Sequence, residues 1–139
     1  MLILDTNVLS ELMRQHPNER VVSWFDRQSS LAIWTTAITV WELLTGIGCL
    51  PEGRRKMMLQ VEFHRVLADD LADRIMPFDH PAASAAARLA ADRQRVGRLG
   101  DIADMMIAGI TQAAGATLVT RNTRHFADLS MSVVNPWDE

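Results

Sequence analysis

The chain lacks most of the features that would set it apart from an ordinary globular protein. It has one cysteine, Cys49, so no intrachain disulfide can form, and a reducing, cytoplasmic setting is expected. No apolar run approaches the roughly 18 residues needed to cross a bilayer, so no membrane role is expected. The N-terminal Met1-Leu2-Ile3-Leu4 has no basic segment ahead of it and meets an acid at Asp5, unlike a secretory signal. Lysine is nearly absent: of 14 basic residues, Lys56 is the sole lysine and the rest are arginine. An excess of positive charge is also missing. The formal net charge is −3, which argues against tight, indiscriminate nucleic-acid binding. It leaves room for a nuclease, whose metal-site acids lower the total while arginines elsewhere hold phosphate. There is no Walker or G-x-G-x-x-G loop to cradle a nucleotide. His16, His64, His80 and His125 are scattered, match no zinc spacing, and read as surface or loop residues.

What remains is a chain of 139 residues, 48% hydrophobic and 22% charged, with no linker, repeat or low-complexity segment. That is the size and balance of one globular domain over residues 1–139. Leu2-Ile3-Leu4 reads as a buried strand that runs into a helix with Val8, Leu9 and Leu12 on one face. His16-Pro17-Asn18 breaks that helix, and a second carries Val21, Val22, Trp24 and Phe25. Leu31–Trp34 reads as the second strand, and Thr39 as the opening of a third helix that Gly48–Gly53 ends. Residues 54–72 read as helical, and Ile75–Phe78 as a short strand whose Pro77 suits a sheet edge. Pro81 opens an Ala-rich helix stopped by Gly97, and Asp101 opens another stopped by Gly115. Thr117–Thr120 is a fourth strand, and Val133-Val134 a short fifth. Strands alternating with helices predict an α/β fold: a central, mainly parallel sheet between two helical layers.

In open α/β sheets, ligands sit beyond the carboxyl ends of the strands. Asp5 ends the first strand, Glu42 is expected in the first turn of the helix after the second, and Asp104 in the first turn of the helix before the fourth. Asn122 follows the fourth strand. Each acid also has a purely local explanation. Thr39-x-x-Glu42 has the form of a capping box, Asp101 that of an N-cap with Asp104 favoured by the helix dipole, and Asp5 that of an Asx-turn. Together they say more. Desolvating a carboxylate at the end of an apolar run is costly, and several acids at one sheet end repel unless a cation joins them. Oxygen donors of this kind suit Mg²⁺ or Mn²⁺.

Leu4-Asp5-Thr6-Asn7, Glu42-Leu43 with Gly46, Asp104 with Ile107-Ala108, and Thr120-Arg121-Asn122 with Phe126 resemble, in order and spacing, the PIN domain of VapC-type ribonuclease toxins. The C-terminal Asn135-Pro136-Trp137 resembles the FitB-like branch. The resemblance implies a three-layer α/β/α sandwich and Mg²⁺- or Mn²⁺-dependent endoribonuclease activity. It also implies RNA as substrate, a cognate antitoxin as partner, and a homodimer or toxin–antitoxin hetero-oligomer. Carried over position by position, Asp5, Glu42 and Asp104 are the catalytic acids, with Asp5 and Asp104 holding the metal and Glu42 orienting it or its water. Thr6, Asn7 and Thr120 can support them, or serve only as turn and strand-end residues. One departure is Asn122, where many members carry an acid; Asp101, one helical turn before Asp104, is the nearest compensating charge. Arg88, Arg93, Arg95 and Arg98, and Arg54, Arg55 and Lys56, either hold RNA phosphates or are solvated faces. Trp24 and Trp41 are expected in the core, with an antitoxin surface or homodimer seam as the alternative, and the Met57-Met58 and Met105-Met106 pairs in the core or an interface.

Other classes fit less well. A phosphoacceptor receiver domain needs a lysine late in the sheet, and a haloacid-dehalogenase-like phosphatase needs an acid where Asn7 stands. The alternative that survives is a catalytically weak metal-binding PIN domain that acts mainly as a partner-binding regulatory module.

Overall fold

A computed structural model describes all 139 residues. Five strands, β1 (Leu2–Leu4), β2 (Ile33–Thr36), β3 (Ile75–Met76), β4 (Thr117–Val119) and β5 (Ser132–Val134), form one sheet in the order β3-β2-β1-β4-β5. Every pairing is parallel. The first strand is therefore the central one, and all five point their carboxyl ends the same way.

Alternation along the strands sorts the core into two layers. Leu4, Ile33 and Val119 face a cluster with Val8, Leu9, Val21, Trp24, Ile47 and Phe63. These come from α1 (Thr6–Leu12), α2 (Glu19–Asp26), α3 (Ala37–Gly48) and α4 (Arg54–Arg65). Ile3 and Leu118 face the other way, onto Ala82, Ile107, Ala108, Ile110 and Phe126. Apart from Phe126, those partners lie on α5 (His80–Arg95) and α6 (Ile102–Ala113). The result is the α/β/α sandwich expected of the pattern. Helices α5 and α6 pack tightly because Gly109 has no side chain: a Cβ there would lie 2.5 Å from Ala86 Cβ and 2.6 Å from the Ala82 carbonyl oxygen.

Several boundaries differ from the sequence reading. The second strand begins at Ile33, not Leu31, and runs on to Thr36; Leu31 is 77% exposed. Thr35 and Thr36 are fully buried yet polar, which an apolar pattern cannot flag. Their hydroxyls are satisfied, Thr35 Oγ1 donating to the Leu4 carbonyl at 3.0 Å and Thr36 Oγ1 to Thr39 Oγ1 at 3.2 Å. The third helix starts at Ala37 with Thr36 as its cap, so Thr39 lies inside it. The helix expected over 54–72 is regular only to Arg65 and then widens into a π turn over Val66–Asp70, with Leu71 N–H bonding to Val66 O. The edge strand shrinks to Ile75–Met76 and lies at the sheet edge, as its proline suggests. Trp24 is in the core, but Trp41 is 59% exposed. Of the methionine pairs, Met105 is buried whereas Met57 and Met58 face solvent.

Candidate active site

Asp5 follows β1 and caps α1, with extended backbone angles that turn the chain from strand to helix. Its backbone N–H continues the ladder to the Val119 carbonyl at 2.9 Å. Its carboxylate is only 3% exposed but well bonded. Oδ1 accepts from Thr6 N–H at 2.8 Å, and Oδ2 accepts from Thr120 Oγ1 at 2.7 Å and Asn7 Nδ2 at 3.3 Å. Asn7 ties this knot to the far strand, donating to Thr120 Oγ1 at 3.2 Å while its Oδ1 accepts from Arg121 N–H at 3.0 Å. Thr6, Asn7 and Thr120 thus all bond the Asp5 carboxylate, Thr6 through its backbone as part of the helix cap.

Glu42 stands in the second turn of α3, one turn beyond the first-turn position expected for it. The capping box does not form. Thr36 Oγ1 accepts from Thr39 N–H at 3.0 Å and so occupies the place that Glu42 would need a Thr39 cap to fill. Glu42 Oε1 instead accepts from Thr6 Oγ1 at 2.6 Å, across to the helix that Asp5 caps. The local reading of Asp101 holds: it caps α6, accepting from Asp104 N–H at 3.2 Å. Asp104 nevertheless faces the site, and its Oδ2 lies 3.0 Å from Nδ1 of His125.

Electrostatics ties these acids together. Burial raises the Asp5 carboxyl above its ordinary value despite the bonds from Thr120, Thr6 and Asn7. Burial also raises Glu42, and the charges of Asp5, Asp101 and Asp104 push it the same way. Asp104 is raised by burial and then by Asp5 and Asp101, with His125 opposing. Asp5 and Asp101 therefore make ionisation harder for both Glu42 and Asp104, and Asp104 does so for Glu42, as expected of carboxylates gathered closely. The side chains do not form a ready-made cage: no group of three or more His, Cys, Asp or Glu is arranged to hold an ion. The donor set still fits a small hard cation. Mg²⁺ keeps several waters and commonly takes only one or two carboxylates directly.

Asn122 sits at the start of a 3₁₀ turn over Thr123–Phe126 but caps nothing with its side chain. Its backbone N–H donates to Thr120 Oγ1 at 3.0 Å. The same turn carries His125, which the sequence reading left as a surface residue. Its sequence neighbours gave no sign of Asp104, 21 positions away. The turn is fastened from beneath by Arg93, whose buried guanidinium makes a bidentate pair with Asp128, at 3.0 Å and 2.7 Å, and also donates to the His125 carbonyl. Arg93 is therefore a structural clamp and not a free phosphate ligand. Arg95 is paired with Asp92 at 2.6 Å, Arg88 reaches Ser84 at 3.3 Å, and Lys56 is paired with Glu52 at 2.6 Å. Arg98 and Arg124, with Arg93, Gly100, Asp101, Asp104 and His125, border a cleft of about 340 Å³ beside the acids.

Comparison with known proteins gives a consistent result. Residues 2–130 match the profile of the PIN domain. Toxin FitB of Neisseria gonorrhoeae is 37% identical over 139 residues, with both chains covered in full. VapC ribonuclease Y4jK of Sinorhizobium fredii is 36% identical over 138 residues, 99% of each chain. The crystal structure of FitAcB from Neisseria gonorrhoeae superposes with a TM-score of 0.89 at 37% identity, covering 100% of both chains.

Proposed function

The chain belongs to the PIN-domain family, and from that premise we propose that it is a divalent-metal-dependent endoribonuclease, the toxin of a toxin–antitoxin pair. The observation that carries this reading is the buried Asp5 carboxylate at the end of the central strand, electrostatically coupled to Glu42 and Asp104. The names of its relatives, a VapC ribonuclease and a toxin, point the same way.

Asp5 and Asp104 are the residues that would hold Mg²⁺ or Mn²⁺. A cation bound there supplies positive charge to the scissile phosphate and makes an attacking water more acidic. The chain's own residues hold the geometry. Thr120, Asn7 and Thr6 N–H fix both oxygens of Asp5, so the carboxylate cannot rotate away. Thr6 Oγ1 holds Glu42 Oε1 and leaves its other oxygen to orient a water. The α6 cap at Asp101 and the ring of His125 hold Asp104. Asn122 offers an amide oxygen without charge, which favours one firmly held ion over two, with Asp101 the nearest acid to compensate.

The proposed partner is a cognate antitoxin, in a homodimer or toxin–antitoxin hetero-oligomer. Supporting it are the name toxin on a relative identical at 37% and the exposed apolar side chains along α3 and α4, Trp41, Leu44, Met57 and Val61 among them. Exposed apolar groups gathered in this way commonly mark a protein contact. No helix is long and apolar enough to cross a membrane.

The test is cleavage of single-stranded RNA with Mg²⁺, Mn²⁺ or chelator by the wild-type, Asp5→Asn and Asp104→Asn proteins. Both substitutions keep shape and remove charge, so folding should survive while cleavage falls by roughly a thousandfold, about 4 kcal/mol of transition-state stabilisation. Undiminished cleavage by Asp5→Asn protein would refute the assignment. A wild-type chain that binds Mn²⁺ and an antitoxin yet cuts no RNA would favour the regulatory module instead.

A further inference from the structure

Four acids crowd one end of the sheet in a chain of net charge −3, and the substrate of the proposed reaction is a polyanion. One metal ion does not remove that repulsion along the length of an RNA. A cationic seat close to the acids is needed, and the sequence offered two arginine clusters without deciding between them.

Side-chain placement decides. In the 88–98 cluster, Arg93 is spent on Asp128 and the His125 carbonyl, Arg95 on Asp92, and Arg88 on Ser84. Arg98 differs: it is exposed and belongs to none of the ion pairs. Arg124, from the turn after β4, is likewise exposed and unpaired, and the two lie on the border of one cleft. The cleft holds about 340 Å³ and is also lined by Asp101, Asp104, His125 and Asp128, the last paired with Arg93 and also within the field of Arg98. Gly100 lines it as well. There φ is +70°, and a Cβ would press on Arg93 Nη1 at 3.3 Å. Arg93 also makes the cleft rigid, because its bonds hold the 125–128 turn against the end of α5. In the 54–56 cluster, by contrast, Lys56 is paired, and Arg54 and Arg55 line a different groove with Leu12, Met58 and Glu62, away from the acids.

We propose that this cleft seats the RNA phosphate next to the scissile one, gripped by the guanidinium forks of Arg98 and Arg124. The proposal rests on the nuclease reading above and extends it. The acids would hold a cation at the reacting phosphate, and the arginines hold its neighbour. Arginine suits this seat because its planar donor fork matches two phosphate oxygens at once. Arg93 is a positioning residue: it touches no RNA and acts by holding the turn that presents Arg124 and His125.

The test is binding, read apart from cleavage. In the Asp5→Asn background, fluorescence anisotropy with a short labelled single-stranded RNA of mixed sequence gives the dependence of affinity on salt. Each phosphate contact on a single strand contributes about 0.7 to the log–log slope. Arg98→Gln and Arg124→Gln should each lower the slope by about that amount and weaken binding several-fold at low salt. The double variant should lose about twice as much, whereas Arg88→Gln and Arg95→Gln should leave the slope as it was. An unchanged slope in the double variant overturns the seat, as does an equal loss in the Arg88 and Arg95 variants. The two readings fail separately. Wild-type cleavage with an unchanged slope removes the seat alone, whereas a lowered slope in a chain that never cleaves removes the nuclease and keeps the phosphate seat.

Discussion

Thr120 is the residue on which the seating of Asp5 most depends, and replacing it with valine is a clean perturbation. The side chain is fully buried, and Thr120→Val exchanges the hydroxyl for a methyl of nearly the same volume. Three bonds change. Asp5 Oδ2 loses its 2.7 Å donor and keeps only Asn7 at 3.3 Å, while Asn7 Nδ2 and Asn122 N–H lose an acceptor at 3.2 Å and 3.0 Å. A hydrogen bond to a charged group contributes about 1.5–3 kcal/mol, and the two stranded donors lie near enough to water to be partly rescued, so a loss of about 2–3 kcal/mol is expected. Unfolding entropy of about 2.1 cal/mol/K per residue makes each kcal/mol worth about 3 °C in a chain of this length, so the melting temperature should fall by about 6–10 °C. Thr120→Ser keeps the hydroxyl and should lose far less. Acidity gives a second readout. The Thr120 bond favours the ionised form of Asp5, so its removal pushes an already raised carboxyl higher still. The valine penalty should be greatest where Asp5 is charged and shrink as the pH falls and Asp5 takes up its proton. A valine variant that melts with the wild type, or a serine variant that falls as far as valine, would refute the reasoning.

The metal-free chain should be more stable in mild acid than at neutral pH as far as the site is concerned. The folded values of Asp5, Glu42 and Asp104 are raised above the ordinary 3.8, 4.5 and 3.8, so their contribution is complete below those values and is lost as pH rises through the folded ones. Urea midpoints should therefore rise as pH falls from neutral into the range where these raised carboxyls take up protons, and saturating Mg²⁺ should close the gap from the neutral side. Asp128 works in the opposite sense, its value lowered by Arg93, but only at still lower pH. Gly109→Ala should destabilise by about 1–3 kcal/mol or more, because the new Cβ meets Ala86 N at 2.7 Å as well as Ala86 Cβ, and backbone cannot yield as a side chain can. Adding Ala86→Gly should restore only part of the urea midpoint. Asn122→Asp should tighten Mn²⁺ binding in calorimetric titration and lower metal-free stability. Equal affinity and stoichiometry in the two proteins would place residue 122 outside the metal site.

What could be read from the sequence was local, and what could not was long-range. Leu2-Ile3-Leu4 announces itself as a buried strand because three apolar residues end at an acid, and the Asp101 cap three residues before Asp104 is visible in any window that contains both. Glu42 misled for a physical reason. Thr39 lies three residues before it and Thr36 three before Thr39, so two caps are equally legible, and only packing shows that Thr36 closes the helix and frees Glu42 for Thr6, 36 positions away. The second strand was misplaced because its inward polar residues, Thr35 and Thr36, are buried through hydrogen bonds and not through apolarity. His125 and Arg93 lacked any signal, since each matters through a partner at 21 to 35 positions' distance.

The order β3-β2-β1-β4-β5 also has a temporal meaning. Of the five strands, the earliest in the chain is the one that ends in the middle of the sheet, and its flank stays open until Thr117–Val119 arrives. Asp5 then waits for a hydroxyl 115 residues downstream. A growing chain consequently holds the acid of its central strand without the Thr120 bond until β4 has followed, and loss of β4 to a frameshift or a protease leaves that acid with only its neighbours Thr6 and Asn7.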